Sequence, residues 1–309
     1  KVSNTEQIYL IQNKGLYTDF LVHFVNQDKE IKSPICYSFG LMASPVKPIG
    51  KRDQYWSGTS IVWGGYGDDP SHFRSEESLE VFKERVLSPW LAEPNKSWEL
   101  TATRYRDHKI SLGNLYGWSP LFGAPFTEDD LFNEKFTLMV RETKKVVPEM
   151  KITAYTGWGI NKGLSFWDSF GMEMTRKPWE ASGWDTMLHC ANSSFNDYFS
   201  YGVDYMLRYY GLDGVYLDST GNVPLCNRTG HGCGYFDDEG ILHGTYPIRA
   251  TRELFKRIYK ITHCGDDENG IIYLHTSGVP LPIISFTDLL LVAEPGVILW
   301  GKLKDIGLN

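Results

Sequence analysis

Basic residues are in the minority and never gather into a block. Lys and Arg total 31 against 38 Asp and Glu, for a net charge of −7. No basic run interleaves with aromatics, so nucleic acid is not an expected partner. Long apolar runs are missing too. No stretch approaches the ~18 uninterrupted apolar residues of a membrane span, so no membrane partner is expected. The first residues, KVSNTEQ, lack the apolar core of a signal peptide, as a mature secreted chain also would. Cysteine is scarce, with Cys36, Cys190, Cys226, Cys233 and Cys264 in the whole chain. No CxxC occurs and no Cys/His cluster has zinc spacing, so neither a metal nor another cofactor is expected. Cys226 and Cys233 share a Gly-rich loop, which suits either a local disulfide in an oxidising compartment or two free thiols.

What the chain does have is aromatic rings and room for a core. Its 309 residues allow one large domain or two ordinary ones. Aromatics make up 14%, with 10 Trp and 18 Tyr. Such richness fits a large core with aromatic corners, and it equally fits ring faces that pack against a pyranose.

Residues 1–34 read as β structure, because QIYLIQ and DFLVHFVN flank the turn-forming NKGLYT. A strand over 35–43 follows and runs into a Pro-bracketed loop carrying Lys47. From there the pattern alternates. Strands are expected near 59–64, 151–156, 214–218, 271–275 and 289–293. Helical periodicity marks SEESLEVFKERVLSPW with Ser75 as a cap, 127–150 with Thr127 as its cap, 194–210 ended by Gly211, and a helix from Thr245 past Pro247. Residues 93–125 read as irregular. Strand, long loop, helix and strand in alternation mark a parallel α/β sheet or barrel. Long aromatic, Gly-rich loops after the strands favour a (β/α)8 TIM-type barrel, whose sites lie on that face. Six strands are legible where a closed barrel needs eight, so the barrel is incomplete as read.

Two of these strands end in an acid. GVYLD ends in Asp218 and LLLVAEP in Glu294, the fourth and sixth strands counted from ICYSFG. Two carboxylates facing across one rim are the minimum machinery for glycoside hydrolysis. One protonates the leaving oxygen; the other attacks the anomeric carbon or orients the attacking group. An Asp after a strand is also a common turn former, but Glu is not, and Pro295 removes a neighbouring donor. Asp213 and Asp288 sit at strand starts, on the opposite, structural face. Around the acids, Lys47, Trp63, Tyr66, Tyr155, Trp158 and Tyr216 are candidate walls of a sugar subsite. His275 suits a bond to a sugar hydroxyl or a satisfied core position. His231 lies where glycines let backbone approach a ligand. Arg249 and Arg252 suit an anionic substituent or local ion pairs.

FGLMASPVKP, YYGLDGVYLDST, CNRTGHGCGY with PIRATRELFKRIY, and FTDLLLVAEPG together resemble the catalytic domain of bacterial proteins related to glycoside hydrolase family 123. The resemblance implies a β-sandwich followed by a (β/α)8 barrel. Residues 1–34 would then be the end of the sandwich and 35–309 the catalytic barrel. It also implies a secreted or periplasmic glycosidase with a carbohydrate partner. The family uses an adjacent Asp–Glu pair after strand four, where the substrate's own acetamido group attacks. Here Ser219 and Thr220 follow Asp218, so only Asp218 carries over. A strand-four Asp with a strand-six Glu looks more like retaining α-galactosidase-type barrels, with Asp218 as nucleophile and Glu294 as acid/base. The alternatives are a non-catalytic glycan-binding barrel, or a polysaccharide lyase recruiting His231, Tyr235 and Arg249.

Overall fold

A computed structural model describes residues 9–22, 30, 34, 39–41, 78–88, 112–115, 128–146, 148, 151–157, 160–176, 186–218, 223, 225–264, 270–276 and 281–292. The chain divides into two units, Lys1–Pro45 and Val46–Asn309. The family resemblance implies a boundary at 34–35 instead.

The first unit contains an antiparallel hairpin of β1 (Tyr9–Asn13) and β2 (Thr18–Val22), where the sequence places two strands and a turn. Its turn is closed by the Asn13 carboxamide oxygen accepting from the Gly15 amide at 2.8 Å. Gly15 takes φ of +84°, a conformation that glycine adopts without steric cost.

The first described element of the second unit is a short helical segment, α1 (Leu79–Phe82), which continues as a π-turn to Leu87. Ser78, not Ser75, caps it, its hydroxyl accepting from the Val81 amide at 3.4 Å; Ser75 lies outside the described residues. Strand β3 (Leu112–Leu115) follows, within a region read as irregular from the sequence. LGNL sets Gly113 and Asn114 between two leucines, and both depress strand propensity, so it is the ladder to its neighbour that makes it a strand. Helix α2 spans Asp130–Val146, with Lys144 and Lys145 in its last turn. Its cap is Asp129, whose carboxylate accepts from the Phe132 amide at 2.9 Å, rather than Thr127.

Strand β4 (Lys151–Gly157) leads into a long excursion containing β5 (Ile160–Asn161), α3 (Met172–Met174) and β6 (Thr186–Met187). Helix α4 (Phe195–Arg208) returns the chain to Gly211, whose φ of +72° ends the helical run. Strand β7 (Gly214–Asp218) precedes a second excursion with β8 (Tyr235–Phe236) and β9 (Leu242–His243). Helix α5 (Ile248–Thr262) begins at Pro247, not Thr245. The Thr245 hydroxyl is engaged elsewhere, accepting from the Gly234 amide at 2.9 Å. Strand β10 (Ile271–Thr276), the short helix α6 (Leu281–Ile284) and β11 (Leu289–Val292) complete the described chain.

Five strands form one parallel sheet in the order β11-β10-β7-β4-β3. That order follows the chain without a reversal. A doubly wound sheet would switch direction at its centre, whereas sequential order is the winding of (β/α) barrels. The two faces of the sheet differ in the same sense. Ile152, Ala154, Val215, Leu217, Ile272 and Leu274 face α2, α4 and α5, packing on Phe136, Phe199 and Phe255 in one buried core. The alternate positions, Tyr155, Tyr216, Ile271, Tyr273 and Leu289, form a separate cluster. Among the described residues no helix packs on that second face. Gly214 fits where β7 and β10 press together: a β-carbon there would lie 2.0 Å from the Ile271 carbonyl oxygen.

Candidate active site

The side-chain period of two decides what β7 offers at its end. Val215 and Leu217 point to the helices, so Tyr216 and Asp218 point to the aromatic face. Tyr155 on β4 pairs in register with Tyr216, two residues before the Gly157–Asp218 level. On the other side, Leu217 pairs with Leu274, which brings His275 level with Asp218. Three adjacent parallel strands thus deliver Tyr155, Asp218 and His275 to one place.

The contacts are short. The Tyr155 hydroxyl donates to Asp218 Oδ2 at 2.5 Å. His275 Nδ1 lies 2.8 Å from Asp218 Oδ1. A carboxylate only accepts, so Nδ1 is the protonated ring nitrogen. One donor on each oxygen fixes the carboxylate plane, which is the preorganisation a nucleophile or a base needs. The Asp218 and His275 side chains remain 22% and 17% exposed, so the pair is reachable from one side.

Beneath this pair lies a floor of rings. Tyr216 is fully buried, stacked on Tyr155 at 5.5 Å and edge-on to Tyr273 at 4.8 Å. Burial pushes the Tyr273 hydroxyl up to about 12, so it stays neutral near pH 7. The floor is buried and mostly apolar; the polar chemistry is concentrated at its rim.

The structure separates other expected site residues from this cluster. His231 sits with Cys226, its Nδ1 3.5 Å from the sulfur, while its Nε2 lies 2.7 Å from the Glu173 carbonyl. Tyr235 stacks on His243 at 5.2 Å, and Arg249 is exposed in the first turn of α5. The three residues a lyase reading would recruit therefore occupy three different surroundings. Arg252 lies over the Phe286 ring, 4.7 Å from its centroid. Lys47, Trp63, Tyr66, Trp158 and Glu294 lie outside the described residues.

Asp213 and Asp288, expected on the structural face, are there. Asp213 accepts from the Ile152 amide at 2.8 Å and pairs with Lys144 at 2.9 Å and Lys151 at 3.5 Å. Asp288 accepts from the Ile272 amide at 2.9 Å, with His263 Nε2 at 3.3 Å. Each carboxylate ties the start of its own strand to the neighbouring one.

One grouping was missed from the sequence. Cys190, Cys226, Cys233 and His231 converge in the excursions after β4 and β7, and none of these cysteines is in a disulfide. The contiguous signal was C-x4-H-x-C within CNRTGHGC. It matches no common zinc spacing, and Cys190 is remote in sequence.

No family model matches the chain, and no curated protein matches it. The family 123 resemblance thus rests on the quoted motifs alone. Among solved structures, the α-galactosidase from Lactobacillus brevis is 13% identical at a TM-score of 0.45, over 66% of this chain and 29% of that one. The α-L-fucosidase isoenzyme 2 from Paenibacillus thiaminolyticus is 13% identical at 0.41, over 63% and 32%. The α-galactosidase from Thermus thermophilus in complex with stachyose is 12% identical at 0.40, over 59% and 36%. This chain therefore spans about a third of the length of each, and overlaps this loose carry neither substrate nor mechanism.

Proposed function

We propose that the chain is the catalytic part of a glycoside hydrolase, built on a (β/α)8 barrel whose inner face is the tyrosine-lined face of the parallel sheet. One observation carries this reading. Asp218 stands at the C-terminal end of a central strand, on the face where no helix packs among the described residues, with each oxygen held by a neighbouring strand's side chain. Active sites of such barrels lie at that end of the strands.

In this reading Asp218 is the nucleophile, or the base that orients the attacking group. Tyr155 and His275 hold its plane while the anomeric carbon approaches. Glu294, which follows β11 in the sequence, is the proton donor to the leaving oxygen. β11, the strand that Glu294 follows in the sequence, lies two strands from β7 in the sheet. A retaining mechanism needs carboxyls about 5–5.5 Å apart, and an inverting one about 6.5–9.5 Å.

The test is turnover of an aryl-glycoside panel by the wild type, followed by NMR of the first-formed anomer. Hydrolysis that is lost in both Asp218→Asn and Glu294→Gln supports the assignment. Wild-type rates in either variant sink it. Tight glycan binding with no hydrolysis across the panel would instead identify a glycan-binding barrel.

A further inference from the structure

We propose that Cys190, Cys226, Cys233 and His231 bind a tetrahedral zinc ion that staples the excursion after β7 to the excursion after β4. The geometry comes first. Cys190 Sγ lies 3.8 Å from Cys233 Sγ, and Cys226 Sγ lies 3.5 Å from His231 Nδ1. The ligand atoms of Cys190, Cys226 and His231 all fall within 4.8 Å of one another. With Zn–S of about 2.3 Å and Zn–N of about 2.0 Å, a tetrahedron has S–S edges of roughly 3.8 Å and S–N edges of roughly 3.5 Å. The Cys190–Cys233 and Cys226–His231 separations match those two edges, with Cys190, Cys226 and His231 grouped and Cys233 beside Cys190.

The surroundings fit as well. Carbonyl oxygens only accept, so the Glu173 carbonyl at 2.7 Å fixes the His231 proton on Nε2. That leaves the Nδ1 lone pair aimed at the sulfurs, which is how metal-bound imidazoles are oriented. The Asn192 amide donates to Cys233 Sγ at 3.5 Å, a hydrogen bond of the kind that supports a thiolate ligand. All three cysteines are at most 1% exposed, and the His231 side chain is 5% exposed. Three sulfurs and one nitrogen, all closed to solvent, select a soft structural zinc site over a calcium or magnesium site.

Disulfides account for the cluster less well. Three thiols leave one unpaired, and the Cys190–Cys233 separation of 3.8 Å exceeds the ~2.05 Å of an S–S bond. The loop is also shaped for the purpose. A single helical turn at Thr229–His231 ends in Gly232 with φ of +67°, a left-handed reversal that carries the chain from His231 back to Cys233. Cys226 is pinned by two backbone bonds to Thr245, at 2.9 and 2.8 Å, and the Cys190 amide donates to the Met174 carbonyl at 2.9 Å. Arg228 ties the same loop to the Thr175 carbonyl at 3.1 Å. Long excursions with little secondary structure need such an anchor, and an ion supplies it without a larger core.

The test is metal and thiol analysis of the full chain, expressed with added zinc and purified without chelators or a metal-affinity column. About one zinc per chain is expected, with the three cysteines unreactive until the ion is removed. Cobalt exchange should give the intense visible bands of a tetrahedral site, with thiolate-to-cobalt charge transfer in the near ultraviolet. Cys226→Ser should lose the ion, and Cys264→Ser, at an exposed cysteine, should keep it. Should Cys226→Ser fail to fold, His231→Cys retains four ligands and should keep one cobalt with stronger charge transfer. A metal-free folded wild type, zinc retained in Cys226→Ser, or a peptide pair disulfide-linked through any two of the three cysteines overturns the proposal.

Discussion

Asp213 and Asp218 lie at opposite ends of the β7 region, and the same side chain does different work at each. Asp213 answers to the backbone. Its carboxylate accepts the Ile152 amide and draws Lys144 and Lys151 to it. Asp218 answers to side chains: a tyrosine hydroxyl from β4 and an imidazole from β10. A carboxylate spent on a main-chain donor and two ammonium groups is committed to architecture. A carboxylate held by a hydroxyl and an imidazole, and still partly exposed, is positioned for a substrate. Asp288 repeats the first pattern one strand-pair away, through the Ile272 amide and His263. The N-terminal edge of the sheet therefore uses its acids as clamps.

Substitutions can break this comparison in order of size. Asp218→Asn should lower kcat/KM on any glycoside the wild type cleaves by about a thousandfold or more, because a carboxamide is neither nucleophile nor base. The midpoint of denaturant unfolding should barely move. Glu294→Gln should cost about 10²–10⁴-fold, with the loss shrinking on substrates whose leaving group needs no proton. Asp213→Ala should do the opposite. It leaves the Ile152 amide without the carboxylate it donates to and removes the Lys144 ion pair, at a cost of about 1–3 kcal/mol read from the unfolding midpoint. Turnover per folded molecule should stay at the wild-type value. Tyr155→Phe removes the hydroxyl that donates to Asp218 and should cost about tenfold in rate, or about 1.4 kcal/mol. A stability loss in Tyr155→Phe with an unchanged rate would place Tyr155 with the clamps.

The parts of the fold that were legible are those where local pattern and burial agree. Strands β4, β7, β10 and β11 are apolar runs bounded by turn residues, and they lie where the sequence places them to within about two residues. Strand β3 was hidden because LGNL has no strand character of its own; the ladder to Lys151–Ala154 imposes it. Caps lie two or three residues downstream of the expected ones for a similar reason. Thr127 and Asp129 are both good caps, and only the position of the first helical carbonyl chooses between them.

The candidate site was half legible. Asp218 stood out as the acid closing a buried strand, and Tyr155 and His275 were singled out as groups facing a sugar. Their hydrogen bonds to Asp218 depend on cross-strand register, which one sequence does not reveal. The Cys/His cluster was least legible. Its members are joined by the path of two excursions, with Cys190 in one and CNRTGHGC in the other.

The most direct measurement is turnover by Asp218→Asn beside Asp213→Ala, each normalised to folded protein, on a glycoside that the wild type hydrolyses. A rate lost by about a thousandfold or more in the first and preserved in the second is the predicted result. Equal rates in both variants would contradict the division between a catalytic and an architectural end of this strand.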